Sequence, residues 1–267
     1  MCRHLAYLGP RTSLARLVLT PAHGLYEQSW APRMQVSGVV NADGFGIGWY
    51  PAEHAGPGAA GGSEADGDGG GEPARYRRNV PIWTDANLPE LAAAIRSHAV
   101  LAAVRSATPG TGREEAAAAP FRDGRYLFSH NGAVPDWANL PADLSPAELL
   151  SLPARSDSAL LWLLIYRELR RGTAPDEAVA GVVRHVAAVR PGARLNLLVT
   201  DGRSVVATRY GDSLWYRTGP DLLIASEPDD EPVGEWHEVP DRTLLLADRA
   251  GIVRTTSLQP TYAAAEK

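Results

Sequence analysis

Met1-Cys2-Arg3-His4-Leu5-Ala6-Tyr7-Leu8 opens the chain, and the reading of its second residue decides the rest. Cys2 is the only cysteine, and removal of Met1 would make it N-terminal. A thiol needs a base to become an attacking thiolate. An N-terminal cysteine carries one in its own α-amine, with a pKa near ~7.7–8.0 against ~10.4 for a lysine. One residue then supplies both nucleophile and base. The plainer alternative is a small residue that permits methionine removal, followed by a buried, inert thiol. The apolar run up to Leu8 and the following Gly9-Pro10 predict a short strand ending in a turn, with Cys2 at its tip and His4 on the same face. There His4 either tunes the thiol or serves as a structural histidine.

Composition bounds the partners. At 267 residues, 45% hydrophobic and 21% charged, the chain can bury one sizeable core. Lys+Arg 26 against Asp+Glu 31 gives a net charge of -5 with no long basic run, so nucleic acid is not an expected partner. No leader-like opening and no apolar run of membrane-spanning length are present, so no membrane partner is expected and a cytoplasmic location is. A lone cysteine excludes an internal disulfide and suits a reducing compartment.

Along the chain, the turn signal Asn41-Ala42-Asp43-Gly44 lies between the apolar stretch Val36 to Val40 and Phe45 to Tyr50, which predicts two strands around a tight turn. Alternating Gly44, Gly46 and Gly48 permit close approach of another backbone or a ligand, while the spacing lacks the helix and Lys-Ser/Thr of a nucleotide loop. Residues 52–73 are Gly/Ala/Asp-rich without apolar periodicity and read as a disordered insertion. Strand character resumes at Arg75 to Trp83, and a short helix follows behind Asn87 and Pro89. His98 to Val104 reads as a buried strand that delivers Arg105 to its end, where the guanidinium needs an anion, from a substrate or from a neighbouring Asp or Glu. Arg125 to Ser129 is a strand ending in His130-Asn131-Gly132, an oxyanion pair or simply a turn.

Ser156 caps a buried helix running to Arg171 and closed by Gly172, with Asp157 in its first turn. Pro175 to Val189 forms a second helix with His185 off its apolar face. Strands then predominate: 194–200, 204–210, 213–217, 222–225, 243–247 and 251–256. No CxxC, HExxH or clustered carboxylate pattern suggests a metal, and no cofactor motif is present.

Taken in order, Cys2, Asn41-Ala42-Asp43-Gly44, Arg105-Ser106-Ala107-Thr108, His130-Asn131-Gly132 and Ser156-Asp157-Ser158 resemble the class II, N-terminal-nucleophile (Ntn) glutamine amidotransferase domain. The wider pattern of Met1 to Leu5, Ala31-Pro32-Arg33, 193–197, Ala225-Ser226-Glu227-Pro228 and Val239-Pro240-Asp241-Arg242 is similar to the γ-glutamyl hercynylcysteine sulfoxide hydrolases of ergothioneine biosynthesis. The resemblance implies an α+β fold, the Ntn-hydrolase four-layer αββα sandwich. It implies a single domain over residues 2–256, with a flexible tail at 257–267.

By the same resemblance Cys2 attacks the γ-carbonyl of a γ-glutamyl substrate, and the Asn131 side chain and Gly132 N–H hold the oxyanion. Arg105 with Thr108 holds the glutamyl α-carboxylate, and Asp157 pairs with the α-ammonium. No cofactor is implied, and the pattern leaves room for a homodimer. Three function classes follow: a stand-alone γ-glutamyl amidase, a glutaminase subunit passing ammonia to a separate synthase, and an inactive binding sandwich. The presence of Cys2, Arg105, Asn131 and Asp157 together favours the first two, and the chain length favours the first.

Overall fold

Strand β1 (Arg3–Ser13) sets the layering because its side chains alternate between two cores. Leu5 and Tyr7 join one cluster, and Ala6 and Leu8 join another on the opposite face. In the computed structural model, residues 2–52, 71–108, 110–140, 144–229 and 236–259 are described. After β1 come helices α1 (Leu14–Val18) and α2 (Leu25–Gln28), strands β2 (Phe45–Trp49) and β3 (Ala74–Arg78), α3 (Leu88–Ala94) and β4 (Arg96–Val104). Strands β5 (Phe121–Asp123) and β6 (Tyr126–Ala133) lead to helices α4 (Pro146–Leu150), α5 (Asp157–Arg170) and α6 (Pro175–Val189). The C-terminal third supplies β7 (Arg194–Thr200), β8 (Ser204–Arg209), β9 (Trp215–Arg217), β10 (Leu222–Ala225), β11 (His237–Glu238), β12 (Thr243–Asp248) and β13 (Gly251–Ser257).

Among the described residues these strands form two antiparallel sheets, β11-β9-β10-β1-β4-β2-β3 and β13-β12-β8-β7-β6-β5. Three apolar cores give four layers. Helices α1, α2 and α3 cover the outer face of the first sheet through Leu14, Val18, Leu25 and Leu88, packed with Leu5, Ile47 and Val104. Between the sheets Leu8 and Leu101 meet Leu127, Leu198, Val205 and Leu245. On the far side Leu161 and Ile165 of α5 and Val179 and Val183 of α6 pack with Phe128, Leu197 and Val206. Each such side chain contributes about 1.5–3 kcal/mol on leaving water. The αββα architecture expected from the sequence is the one observed. No helix among the described residues is long and apolar enough to cross a membrane.

Local chemistry fixes the helices that matter for the site. The Ser156 side chain accepts from Ala159 N at 3.1 Å, capping α5, and Gly172 at φ +88 ends it. Helix α6 starts on Pro175 with Asp176 and Glu177 in its first turn, as its pattern predicts.

Three sequence expectations are corrected. Strand β1 continues through Gly9-Pro10 to Ser13, with a register shift between Leu8 and Thr12, because β4 keeps pairing with it. Residues 36–40 form no strand; Val36 and Val39 are 84% and 74% exposed, since the segment is held by side chains rather than by a sheet. Strand β3 stops at Arg78, and Ile82–Thr84 is a 3₁₀ turn. The expected insertion lies almost wholly outside the described residues, as does the tail beyond 259. Leu258, beside it, is fully buried.

Candidate active site

The start of β1, the end of β4, the C-terminal half of β6 and the start of α5 converge. Pairing of Arg3 with Val104 sets Cys2 beside the chain that carries Arg105, and Cys2 Sγ lies 3.9 Å from Ser106 O. Across the sandwich, Cys2 N donates to Asn131 Oδ1 at 3.1 Å. Asn131 is fully buried, yet its Nδ2 has no hydrogen-bond partner among the described residues. A buried amide donor left open costs about 1–3 kcal/mol, so its retention points to an acceptor that arrives with a ligand.

Gly132 follows at φ +151, still within β6 and paired with Leu195. A Cβ there would stand 2.0 Å from Arg194 O, so only glycine fits. The motif His130-Asn131-Gly132 is therefore part of the strand rather than a turn after it. His130 is locked in place, with Nε2 donating to Arg194 O at 2.9 Å, which leaves Nδ1 to accept from Ser158 Oγ at 3.0 Å.

Arg105 is anchored at its backbone by Gly44 O, which accepts from its N–H at 2.8 Å, and by Asp43 N, which donates to its carbonyl at 2.9 Å. Its Nη2 donates to Gly112 O at 2.7 Å and Thr111 Oγ1 at 3.2 Å, while the buried Nη1 has no hydrogen-bond partner among the described residues. Among the described residues no carboxylate pairs with it there. Thr108, expected with Arg105 at the α-carboxylate, lies in the same loop. The hydroxyl on the guanidinium is that of Thr111, which in turn donates to Thr108 O at 2.7 Å.

Asp157 is buried, with Oδ2 accepting from Val134 N at 3.0 Å and Oδ1 from Ser158 N at 2.8 Å. A carboxylate has about four acceptor sites, so capacity for an ammonium remains. Arg105, Asn131 and Asp157 thus offer a guanidinium, an amide and a carboxylate on segments tied to one another, with Asn131 in direct contact with Cys2.

A profile of the class II glutamine amidotransferases matches residues 24–220. The chain belongs to that family. A γ-glutamyl-hercynylcysteine sulfoxide hydrolase of Mycolicibacterium smegmatis is 41% identical over 256 residues, 96% of this chain and 99% of the relative. The hydrolase of the same name from Mycobacterium tuberculosis is 39% identical over 96% of each chain. Among solved structures, a glutamine aminotransferase class-II domain protein from Silicibacter pomeroyi superposes with TM-score 0.65 at 23% identity, covering 97% of this chain and 100% of that one. The glutamine phosphoribosylpyrophosphate amidotransferase of Bacillus subtilis gives 0.61 at 14% identity, covering 96% of this chain and 49% of its own.

In this amidotransferase several supporting residues carry no isolated sequence signal. Arg3 is fully buried, with Nη1 3.3 Å from Glu227 Oε1 and Nε donating to Gln35 Oε1 at 3.2 Å. Burial lowers its pKa, against the raising influence of Glu227, Asp212 and Cys2. Glu227 accepts from His23 Nε2 at 2.9 Å, Arg33 N at 2.8 Å and Met34 N at 3.0 Å. Burial pushes its carboxyl up, but these bonds and Arg3 together hold it below the usual range. This cluster fixes the segment 33–41, since Gln35 Oε1 also accepts from Asn41 Nδ2 at 3.1 Å. Asp43 has a definite role as well: its Oδ2 accepts from Ala107 N at 2.8 Å, fixing the turn after Arg105. His4 proves structural, fully buried with Nδ1 3.1 Å from Ser129 Oγ. Burial, then Arg3 and His130, hold it neutral, well below the ordinary histidine pKa.

Proposed function

We propose that the protein is a γ-glutamyl amidase that hydrolyses γ-glutamyl hercynylcysteine sulfoxide to glutamate and hercynylcysteine sulfoxide, with Cys2 as N-terminal nucleophile. The observation that carries it is the pair of buried donors open among the described residues, Asn131 Nδ2 and Arg105 Nη1, on the two segments that contact Cys2. One suits a developing oxyanion. The other suits a carboxylate, which a guanidinium fork grips bidentately. The substrate's identity is supported by relatives that align end to end and bear that name.

In this reading the α-amine of Cys2 takes the thiol proton, and Sγ bonds to the γ-carbonyl carbon. The oxyanion is held by Asn131 Nδ2 and Gly132 N–H, such donors being worth about 2.7–4 kcal/mol each in acyl transfer. Collapse breaks the C–N bond, the leaving amine takes the proton from the α-ammonium, and a γ-glutamyl thioester remains. Water, deprotonated by the same amine, cleaves it to glutamate and regenerates the thiol. Arg105, within the segment ordered by Thr111 and Thr108, holds the α-carboxylate, and Asp157 holds the α-ammonium. We assign this chemistry to one amidotransferase domain over residues 2–256, in a cytoplasmic protein that acts on a small molecule, with a homodimer compatible.

Steady-state glutamate release from γ-glutamyl hercynylcysteine sulfoxide and from glutamine tests the reading. The expected result is a much larger kcat/KM on the former, abolished in Cys2→Ala. Comparable turnover of glutamine, raised further by a second protein, would favour a glutaminase subunit instead.

A further inference from the structure

A cavity of about 520 Å³ lies between the end of α4 and the flank of α5, running from Ala159, two residues beyond Asp157, to Arg170 and Arg171. Leu152 and Pro153 line one wall, and Trp162, Leu163 and Tyr166 line the α5 side, with Arg167, Arg170 and Arg171 beyond them. Tyr166 and Arg170 stand about 14 and 20 Å along the helix from Asp157, at 1.5 Å per residue.

Its chemistry is an excess of donors. Two carboxylates line the cavity, but each is already engaged. Trp162 Nε1 donates to Asp123 Oδ2 at 2.6 Å, and Glu148 Oε2 accepts from Ser145 N at 2.7 Å and Ser145 Oγ at 2.8 Å in the capping box of α4. Those contacts, the backbone one first, with smaller contributions from Arg167 and Arg171, hold Glu148 below the usual carboxylate range. Arg171 and Arg167 both pair with Glu168, at 2.8 and 3.7 Å, while Arg170 makes no hydrogen bond or ion pair among the described residues. Each guanidinium brings five N–H donors, and the Tyr166 ring and Leu152 supply an apolar wall beside them. A volume in the range of small-molecule sites, an arginine fork and an aromatic face fit a small aromatic carboxylate or sulfonate.

The cavity is also joined to the active site by covalent chain and hydrogen bonds. Its wall Ser151-Leu152-Pro153 runs on through Ala154 and Arg155 to Ser156 and Asp157. Arg155 O accepts from Gly112 N at 3.0 Å, and Gly112 O accepts from Arg105 Nη2 at 2.7 Å. One segment therefore touches the cavity, the carboxylate of Asp157 and the loop that orients Arg105.

We propose that this cavity binds a small aromatic anion and that its occupancy is transmitted through residues 151–157 to the glutamyl-binding groups. The second half rests on the function proposed above; the first does not. The test is calorimetric titration of the full-length protein with 1-anilinonaphthalene-8-sulfonate, with a naphthyl trimethylammonium cation of similar size as control. The sulfonate is expected to bind and the cation not to. Arg170→Glu should weaken the sulfonate at least tenfold and Leu163→Trp, which fills the cavity, should remove binding. Both variants should retain the wild-type circular dichroism spectrum. Unchanged sulfonate affinity in both variants, or equal binding of the cation, overturns the site. With saturating sulfonate, KM for the γ-glutamyl substrate should shift at least threefold in wild type and not in Arg170→Glu. Binding with an unchanged KM overturns the transmission. Absence of glutamate release without any sulfonate would instead strike the functional reading and leave the binding result standing.

Discussion

Asn131 accepts from Cys2 N through Oδ1 at 3.1 Å while its buried Nδ2 has no acceptor among the described residues, so one amide can position the nucleophile's amine and hold an oxyanion at once. Asn131→Asp separates the two functions: it keeps an acceptor for the amine and removes the donor. The expected outcome is a fall in kcat on the order of 10²–10³ with little change in KM. Parallel kinetics on a γ-glutamyl substrate measure it, and an unchanged kcat would remove Asn131 from the oxyanion site.

Arg105→Lys should raise KM and lower kcat/KM by more than tenfold, because a point charge replaces the fork that holds Gly112 O and leaves Nη1 free for substrate. The melting temperature should change little, as the backbone of residue 105 remains bonded to Gly44 and Asp43. Near-normal kcat/KM would place the substrate carboxylate elsewhere.

Asp157→Asn is not a clean probe of binding. One of the two carboxylate oxygens that accept from Val134 N and Ser158 N becomes an NH₂ facing an N–H, so about 1–3 kcal/mol of folding stability should go with the ammonium contact. Denaturant melts beside kinetics would divide the two effects. A variant as stable as wild type would contradict this geometry.

Gly132→Ala should cost more stability than any surface change, because the added methyl carbon would lie 2.0 Å from Arg194 O between paired strands. The expected readout is a large fall in melting temperature or loss of soluble protein. A well-folded Gly132→Ala enzyme would mean that β6 and β7 can separate there.

Acid should destabilise the fold in two stages. His4 is held neutral, below its ordinary 6.5, so below about pH 6.5 the unfolded chain binds a proton that the folded chain refuses, and stability falls. Glu227, held below its ordinary 4.5, adds a second loss as pH drops beneath that value. His4→Gln should flatten the melting temperature between pH 6.5 and 5 while leaving the lower decline. An identical slope in variant and wild type would remove His4 as the cause.

Replacing residues 53–70 by a short glycine-containing turn should leave turnover and melting temperature nearly unchanged. Trp49 and Ala74 are already partners across β2 and β3, so the segment joins neighbouring strand ends, and closure depends only weakly on loop length. A folded deletion variant without activity would give the segment a part in catalysis.

The sequence by itself determined which chemistry the chain could carry. A single cysteine at position 2, an arginine at the end of an apolar strand, Asn131-Gly132 after another and an aspartate in a capped first turn are local signals. Each is set by neighbours within a few residues. Most of the strands and the two long helices were legible for the same reason, since their periods are short-range properties, while the αββα layering was implied by the family resemblance. Only the tertiary structure decided that Cys2 N meets Asn131 Oδ1 across 129 positions of chain, that Thr111 rather than Thr108 lies on the Arg105 guanidinium, and that Glu227 pairs with Arg3. It also showed that 36–40 is a pinned loop and that β1 runs through Gly9-Pro10, outcomes set by side-chain anchors and by a partner strand. Those relationships depend on which distant donor meets which acceptor once two sheets are stacked, and no local pattern of residues encodes that pairing.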